Sequence, residues 1–180
     1  MKINGPWKIK EIREIYKNFW LRFREDKVIR PNGEDGLVAV LETRSGVSIL
    51  PIDEEGNVYL VEQFRYLLGK SCIEVSGGAI DDNEQPLDAA KRELKEELGI
   101  EAEEWIDLGL VNPFSSIVKS TQQLFLVRGL KFGKDNQDET ENIKIVKVKL
   151  EEAVEMVMNG TINIGPSCVL ILKARKFLGL

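Results

Sequence analysis

The chain has 180 residues, 43% hydrophobic and 31% charged, with 25 basic and 30 acidic side chains and a net charge of −5. That size and balance fit one globular domain, or one domain with a short arm. The acidic balance excludes any general attraction to nucleic acid. There is no histidine, which excludes His–Ser and His–Cys relays, His metal sites and histidine bases together. Carboxylates, Lys, Tyr, Cys or an oxygen-held metal must carry any chemistry. Met1–Lys10 has no apolar signal core, and no apolar run approaches a membrane span, so the expected location is cytoplasmic, with no membrane partner. Cys72 and Cys168 lie far apart, in no metal-like spacing, and read as small core residues rather than a disulfide.

In chain order, Trp7–Tyr16 and Phe19–Arg30 read as strands, rich in aromatic and β-branched residues, followed by the turn cluster Asn32-Gly33-Glu34-Asp35-Gly36. Leu37–Glu42 and Val47–Ile52 read as further strands. Asp53-Glu54-Glu55-Gly56-Asn57 then turns the chain into the alternating run Val58–Arg65. Ile73–Val75 is a short strand entering the Gly77-Gly78 loop. A helix starts at Pro86 and ends at Gly99, residues suited to a first helical turn and a C-terminal cap. Trp105–Val111, Gln122–Arg128 and Ile143–Leu150 read as strands, the last two separated by an acidic loop around residues 135–141. Helices over Glu151–Asn159 and Pro166–Leu178 close the chain. Strands and helices are mixed rather than alternating, which predicts a mixed sheet with helices on its faces.

The helix carries the chemistry. With Glu93 at zero and about 100° per residue, Glu97 falls near 40° and Glu96 near −60°, while Leu94, Leu87 and Leu98 gather at about 100–140°. Three carboxylates share one arc, and the leucines occupy an adjacent face suited to packing on a sheet. Ala89 lies on the carboxylate arc and leaves space there. Like charges at these spacings cost roughly 0.2–0.5 kcal/mol per pair, and a divalent cation, which selects hard oxygen ligands, reverses that sign. A Glu-rich helix alone is usually a solvated face. Here a fixed frame surrounds it: Gly78, then Glu84, then Arg92-Glu93-Leu94-Lys95-Glu96-Glu97-Leu98-Gly99-Ile100.

That frame resembles the Nudix box at every specified position. The resemblance implies an α+β fold, an α/β/α sandwich with a mixed sheet and an N-terminal antiparallel strand arm. The implied division is an arm over residues 1–36 and a Nudix hydrolase domain over residues 37–180. It implies Mg²⁺, or Mn²⁺, held by Glu93, Glu96 and Glu97 with the backbone carbonyl of Gly77 or Gly78. Glu93 is alternatively the base that activates water. Arg92 orients the carboxylates, Glu84 anchors the loop, and Gly78 and Gly99 serve backbone geometry.

The similarity extends, more loosely, to Trp7, Phe19-Trp20-Leu21, Val28-Ile29-Arg30-Pro31, Val61-Glu62-Gln63-Phe64-Arg65-Tyr66 and Glu139-Thr140-Glu141-Asn142-Ile143. These look like the branch that cleaves ADP-ribose and nucleoside diphosphate sugars. The branch implies that Arg65 contacts the diphosphate-linked ligand, with a plain surface arginine as the alternative. Glu74 contacts the ligand or supports its site, or else lies on a strand surface. Glu141, with Glu139 second, is the candidate catalytic base, or both belong to a solvated loop. The branch also implies a homodimer through the N-terminal strands. Trp7, Phe19 and Trp20 are then interface or base-stacking residues, or simply core. Two departures weigh on the substrate: Ser76-Gly77-Gly78 and Asn112-Pro113-Phe114-Ser115-Ser116 stand where the branch has Pro-containing signatures. The expected activity is hydrolysis of a small-molecule nucleotide, ADP-ribose or a related sugar nucleotide. The alternatives are another nucleotide (a dinucleoside polyphosphate or nucleoside triphosphate) or a non-catalytic binding module.

Overall fold

The computed structural model describes residues 1–133 and 143–180, and the chain divides into two compact units, Met1–Ser45 with Asn112–Thr121, and Gly46–Val111 with Gln122–Leu180. Among the described residues no helix is long and apolar enough to cross a membrane.

The first unit is a sheet of strands β1 (Lys2–Asn4), β2 (Trp7–Lys17), β3 (Leu21–Ile29), β4 (Asp35–Thr43) and β9 (Val118–Lys119). Their order is β1-β2-β3-β4-β9, antiparallel except for the parallel β4–β9 pair. The expected boundary after Gly36 falls inside β4, and the unit takes β4 whole. Strand β3 begins at Leu21 rather than Phe19 because Asn18 Oδ1 accepts the N–H groups of Trp20 (2.8 Å) and Leu21 (2.9 Å) and closes the turn. Phe19 and Trp20 are thereby left exposed, ring edge to ring face at 5.0 Å, with the Arg44 guanidinium over Phe19. Neither is core.

The second unit holds two three-stranded sheets. One is β5 (Gly46–Pro51), β10 (Gln122–Phe132) and β8 (Ile100–Val111), in the order β5-β10-β8. The other is β11 (Lys144–Lys149), β6 (Asn57–Arg65) and β7 (Lys70–Val75), in the order β11-β6-β7. Pairing is parallel between β5 and β10 and antiparallel elsewhere. Single bridges at Gly46–Ala79, Ile49–Ser76 and Ile52–Val58 join β5 to the second sheet's strands and to the loop after β7.

The two-residue period of the strands sorts their side chains into two cores. Leu50, Leu60, Leu124 and Leu126 face helices α2 (Leu150–Met158) and α3 (Gly165–Leu178). Val47, Ile49, Tyr59, Val61, Phe125 and Val127 face helix α1 (Pro86–Leu98). Helices thus cover both sides of the two sheets, one mixed and one antiparallel, giving the expected α/β/α layering. Strand β8 starts at Ile100, earlier than its sequence pattern suggests. Glu101, Glu103 and Glu104 mask the alternation, yet the segment pairs with Leu130–Phe132 and Lys131 bridges Glu103 at 2.8 Å. Here pairing overrides weak intrinsic propensity.

The turn between β5 and β6 is tied by Asp53, whose carboxylate accepts hydrogen bonds from Glu55 N, Asn57 N, Asn57 Nδ2 and Tyr59 Oη and faces Lys147 at 3.2 Å. Burial alone raises its pKa, but the hydrogen bonds from Asn57, with Lys147 and Tyr59, prevail and hold it well below the ordinary carboxylate range. The unfolded chain therefore takes up this proton first as pH falls. The stabilisation is complete above about pH 4, the ordinary carboxylate value, and drains as pH drops towards the depressed folded value. Asp53→Asn is expected to cost about 1–3 kcal/mol at pH 7. The gap from wild type, read from urea midpoints, should narrow steadily between pH 4 and pH 2.

Candidate active site

Helix α1 is bounded as its sequence indicates, with Pro86 in its first turn and Gly99 closing it at φ +63°, where Gly99 N donates to Lys95 O at 3.0 Å. Its buried residues are Ala89, Ala90, Leu94, Glu97 and Leu98. On the helical wheel these span roughly −40° to 140° about Glu93. Glu97 thus sits at the centre of the buried face rather than on a separate polar arc, only 5% exposed. Ala89 is fully buried, so the space it leaves is filled by packing. Leu87, in the first turn, is 37% exposed, whereas Leu94 and Leu98 are buried.

A carboxylate in that position needs donors. Glu97 Oε2 accepts the Gly77 N–H at 3.0 Å, which brings the Gly77-Gly78 loop against the helix. Gly78 O in turn accepts Val47 N–H at 2.9 Å, anchoring the loop to β5. The loop is also closely packed at both glycines. A Cβ on Gly78 would lie 2.2–2.6 Å from the Glu93 carboxyl group, and one on Gly77 would lie 2.2 Å from Val47 O.

Arg92 organises the remaining carboxylates. Its Nη1 donates to Glu93 Oε1 (2.7 Å) and Glu96 Oε2 (3.1 Å), its Nε and Nη2 donate to the two oxygens of Glu84 (3.0 and 3.1 Å), and Nη2 also donates to Ala79 O (3.0 Å). Hydrogen bonds to Glu84 are the largest cause of the raised Arg92 pKa, ahead of burial, which opposes it, and of Glu93. The same hydrogen bonds, with one from Asp81 N, hold Glu84 below its ordinary value. Charge-assisted contacts of this kind fix side-chain orientation.

Arg65 and Glu74 lie on the α1 side of β6 and β7. By register, Arg65 opposes Lys70 and Glu74 opposes Val61, so the Arg65 side chain runs back over the Gln63–Cys72 rung to reach Glu74. There Nε and Nη2 donate to Glu74 Oε1 (2.7 Å) and Oε2 (2.6 Å). Glu74 is 4% exposed, which excludes the strand-surface alternative, while the Arg65 side chain stays 43% exposed. These hydrogen bonds raise the Arg65 pKa against the opposing effect of burial. Both residues line a cavity of about 280 Å³ with Gly77, Gly78, Ser48, Gln122 and the start of α3. Ser48, Gln122 and Ser167 have no motif signal in the sequence; only the topology brings them here.

The structure therefore brings Glu93, Glu96, Glu97, Arg92, Gly77 and Gly78 together, with Arg65 and Glu74 on the adjoining wall. Trp20 belongs to the other unit. Glu139 and Glu141, the candidate bases, lie outside the described residues. Among the described residues no group of three or more Asp, Glu or Cys side chains is gathered closely enough to hold a metal ion as the side chains stand. The donor set of Glu93, Glu96, Glu97 and loop carbonyls is nevertheless all hard oxygen, which fits Mg²⁺ or Mn²⁺.

The NUDIX domain family model matches residues 42–164, and the chain belongs to that family of hydrolases. It is 29% identical to a methanol dehydrogenase activator of Bacillus methanolicus over 80% of this chain and 79% of that protein. It is 27% identical to an ADP-ribose pyrophosphatase of Bacillus subtilis over 71% of this chain and 70% of that one. A crystal structure of an ADP compounds hydrolase superposes with a TM-score of 0.85 at 18% identity, covering 99% of this chain and 97% of the other. That likeness establishes the fold, a mixed α+β Nudix fold with N-terminal antiparallel strands. Nudix enzymes in general use divalent cations.

Proposed function

We propose that this Nudix hydrolase cleaves the phosphoanhydride of ADP-ribose or a related nucleoside diphosphate sugar, giving a nucleoside monophosphate and a sugar phosphate. The observation that carries the reading is the Glu93–Glu96–Glu97 constellation, with Arg92 holding Glu93 and Glu96 and Gly77 N–H holding Glu97, beside a cavity walled by Arg65 and Glu74. The similarity to ADP-ribose pyrophosphatases supports the substrate class. Glu93, Glu96 and Glu97, with Gly77 or Gly78 O, would hold Mg²⁺ or Mn²⁺, which when bound offsets phosphate charge and acidifies water. Arg92 keeps Glu93 and Glu96 turned to one side, and Gly77 N–H keeps Glu97 fixed. Arg65, held by Glu74, offers its remaining donors and its charge to the diphosphate. The proton of the attacking water goes to a carboxylate, Glu93, Glu141 or Glu139, and single Gln substitutions separate these three. A cavity of about 280 Å³ falls just below the roughly 300–1,000 Å³ of typical ligand sites. It suits the diphosphate end, and the rest of the ligand rests beyond it. In this reading Trp20 is the candidate base-stacking residue, and the N-terminal strands join two copies in a homodimer. A monomer by light scattering at micromolar concentration counts against that dimer.

The similarity to a methanol dehydrogenase activator favours one second reading, a Nudix protein that acts on a partner enzyme. The intact Glu93, Glu96 and Glu97 weigh against a module without turnover. The deciding experiment is a hydrolysis screen with Mg²⁺ over ADP-ribose, ADP- and GDP-sugars, dinucleoside polyphosphates and nucleoside triphosphates, with products separated by chromatography. Turnover of ADP-ribose or a sugar nucleotide, abolished by EDTA and restored by excess Mg²⁺, is expected. Activity confined to triphosphates or polyphosphates overturns the substrate class, and silence across the panel, with Mn²⁺ as well, favours the partner-directed reading.

A further inference from the structure

Strand β7 forms the outer edge of its three-stranded sheet, so the amides on its far side have no strand partner. One of them is satisfied from an unexpected place. Val75 N donates at 3.2 Å to the hydroxyl of Ser167, a residue 92 positions away in the first turn of α3. A serine at a helix start ordinarily serves its own helix. This one is only 2% exposed and spends its Oγ on the neighbouring strand. Val75 directly follows Glu74, whose two carboxylate oxygens hold Arg65. Ser167, Val75, Glu74 and Arg65 all line the same cavity.

We propose that Ser167 is a positioning residue: through Val75 it pins the end of β7, and so sets the Glu74 carboxylate that aims Arg65 into the cavity. The physical case rests on what each contact can resist. Arg65 reaches Glu74, four rungs back along the β6–β7 pair, only by lying along the strand, so a small slide of the β7 edge alters both of its hydrogen bonds. Antiparallel pairing to β6 restrains one side of β7. On the other side Ser167 ties it to α3, whose Leu170, Ile171 and Ala174 are fully buried in the core. The helix is the rigid body and the hydroxyl is the pin. This proposal rests on the reading of Arg65 as the residue that meets the diphosphate.

Two readouts test it, one of which needs no substrate. In ¹⁵N-labelled protein, Ser167→Ala should speed solvent exchange of the Arg65 Nε–H and shift its resonance, while Ser167→Thr, which retains the hydroxyl, should restore it. Cys168→Ala, one residue along the same helix and outside the cavity, should leave that signal unchanged. In kinetics, Ser167→Ala should raise KM for the diphosphate substrate roughly fivefold to thirtyfold, the worth of one buried hydrogen bond, with kcat within about twofold. Combined with Glu74→Gln it should add little to the effect of that change alone, because both act on one group. An unchanged Arg65 signal in Ser167→Ala overturns the proposal whatever the substrate. So does an unchanged KM in an active enzyme, or full additivity with Glu74→Gln. An altered Arg65 signal in a protein that turns over no sugar nucleotide upholds the linkage and places the failure in the proposed function.

Discussion

Glu97→Gln is expected to lower kcat roughly 10²–10³-fold, the usual effect of deleting one group that stabilises transition-state charge, while the protein keeps its fold. The substitution is well matched to the question. Glu97 lies at the centre of the buried face of α1 and accepts the Gly77 N–H. A glutamine has nearly the same shape and retains a carbonyl oxygen for that hydrogen bond, so the loop stays in place. What disappears is a negative charge one helical turn from Glu93, a like-charge pair at i,i+4 that costs roughly 0.2–0.5 kcal/mol. The melting temperature without divalent cation should therefore match wild type or rise slightly. The rise in Tm on adding Mg²⁺ should shrink, since ligand stabilisation follows affinity for the folded state. Near wild-type turnover in a folded mutant removes Glu97 from the metal site.

Much of this arrangement was legible in the residues, for identifiable reasons. Helix α1 announces itself through Pro86 and Gly99, residues whose backbone preferences act locally and need no tertiary context. Strands β5 and the first half of β6 read as continuous apolar runs because both their faces are buried, and Val58–Val61 divides cleanly between two cores. Periodicity failed where tertiary pairing did the work: Ile100–Glu104, whose glutamates hide a strand paired to β10 and bridged by Lys131, and Val118–Lys119, too short to carry a pattern. In the site, spacing placed the glutamates on one side of the helix but could not say that Glu97 points into the protein. That depends on the Gly77-Gly78 loop folding over it. Arg65 and Glu74 were separate candidates in the sequence; the register of β6 and β7 makes them a pair. Ser48, Gln122 and Ser167 come from three distant segments, and no linear pattern unites them.

The adjacent glycines should fail in opposite ways when each is changed to alanine. At Gly77 the added methyl group would lie 2.2 Å from Val47 O and 3.1 Å from Ser48 Cα, both backbone atoms of β5. Neither can move without disturbing β5, which is buried along its whole length, so Gly77→Ala is expected to cost about 1–3 kcal/mol, the range for overpacking a core. At Gly78 the methyl group would meet only the Glu93 carboxyl, at 2.2–2.6 Å. That carboxyl is the end of a flexible side chain and can swing aside at little cost to stability. The displacement falls on a candidate metal ligand, and it pulls against the 2.7 Å contact from Arg92 Nη1. Misplacing a reacting group by about 1 Å can cost roughly 10²-fold in rate. Gly78→Ala should therefore melt near the wild-type temperature with kcat reduced about 10²-fold, whereas Gly77→Ala should melt early and lose activity mainly as it unfolds. Thermal melts set beside single-turnover rates on the same preparations separate the two. A stable and fully active Gly78→Ala protein would mean that the position of the Glu93 carboxylate does not govern the chemical step, and would move the catalytic weight to Glu96 and Glu97.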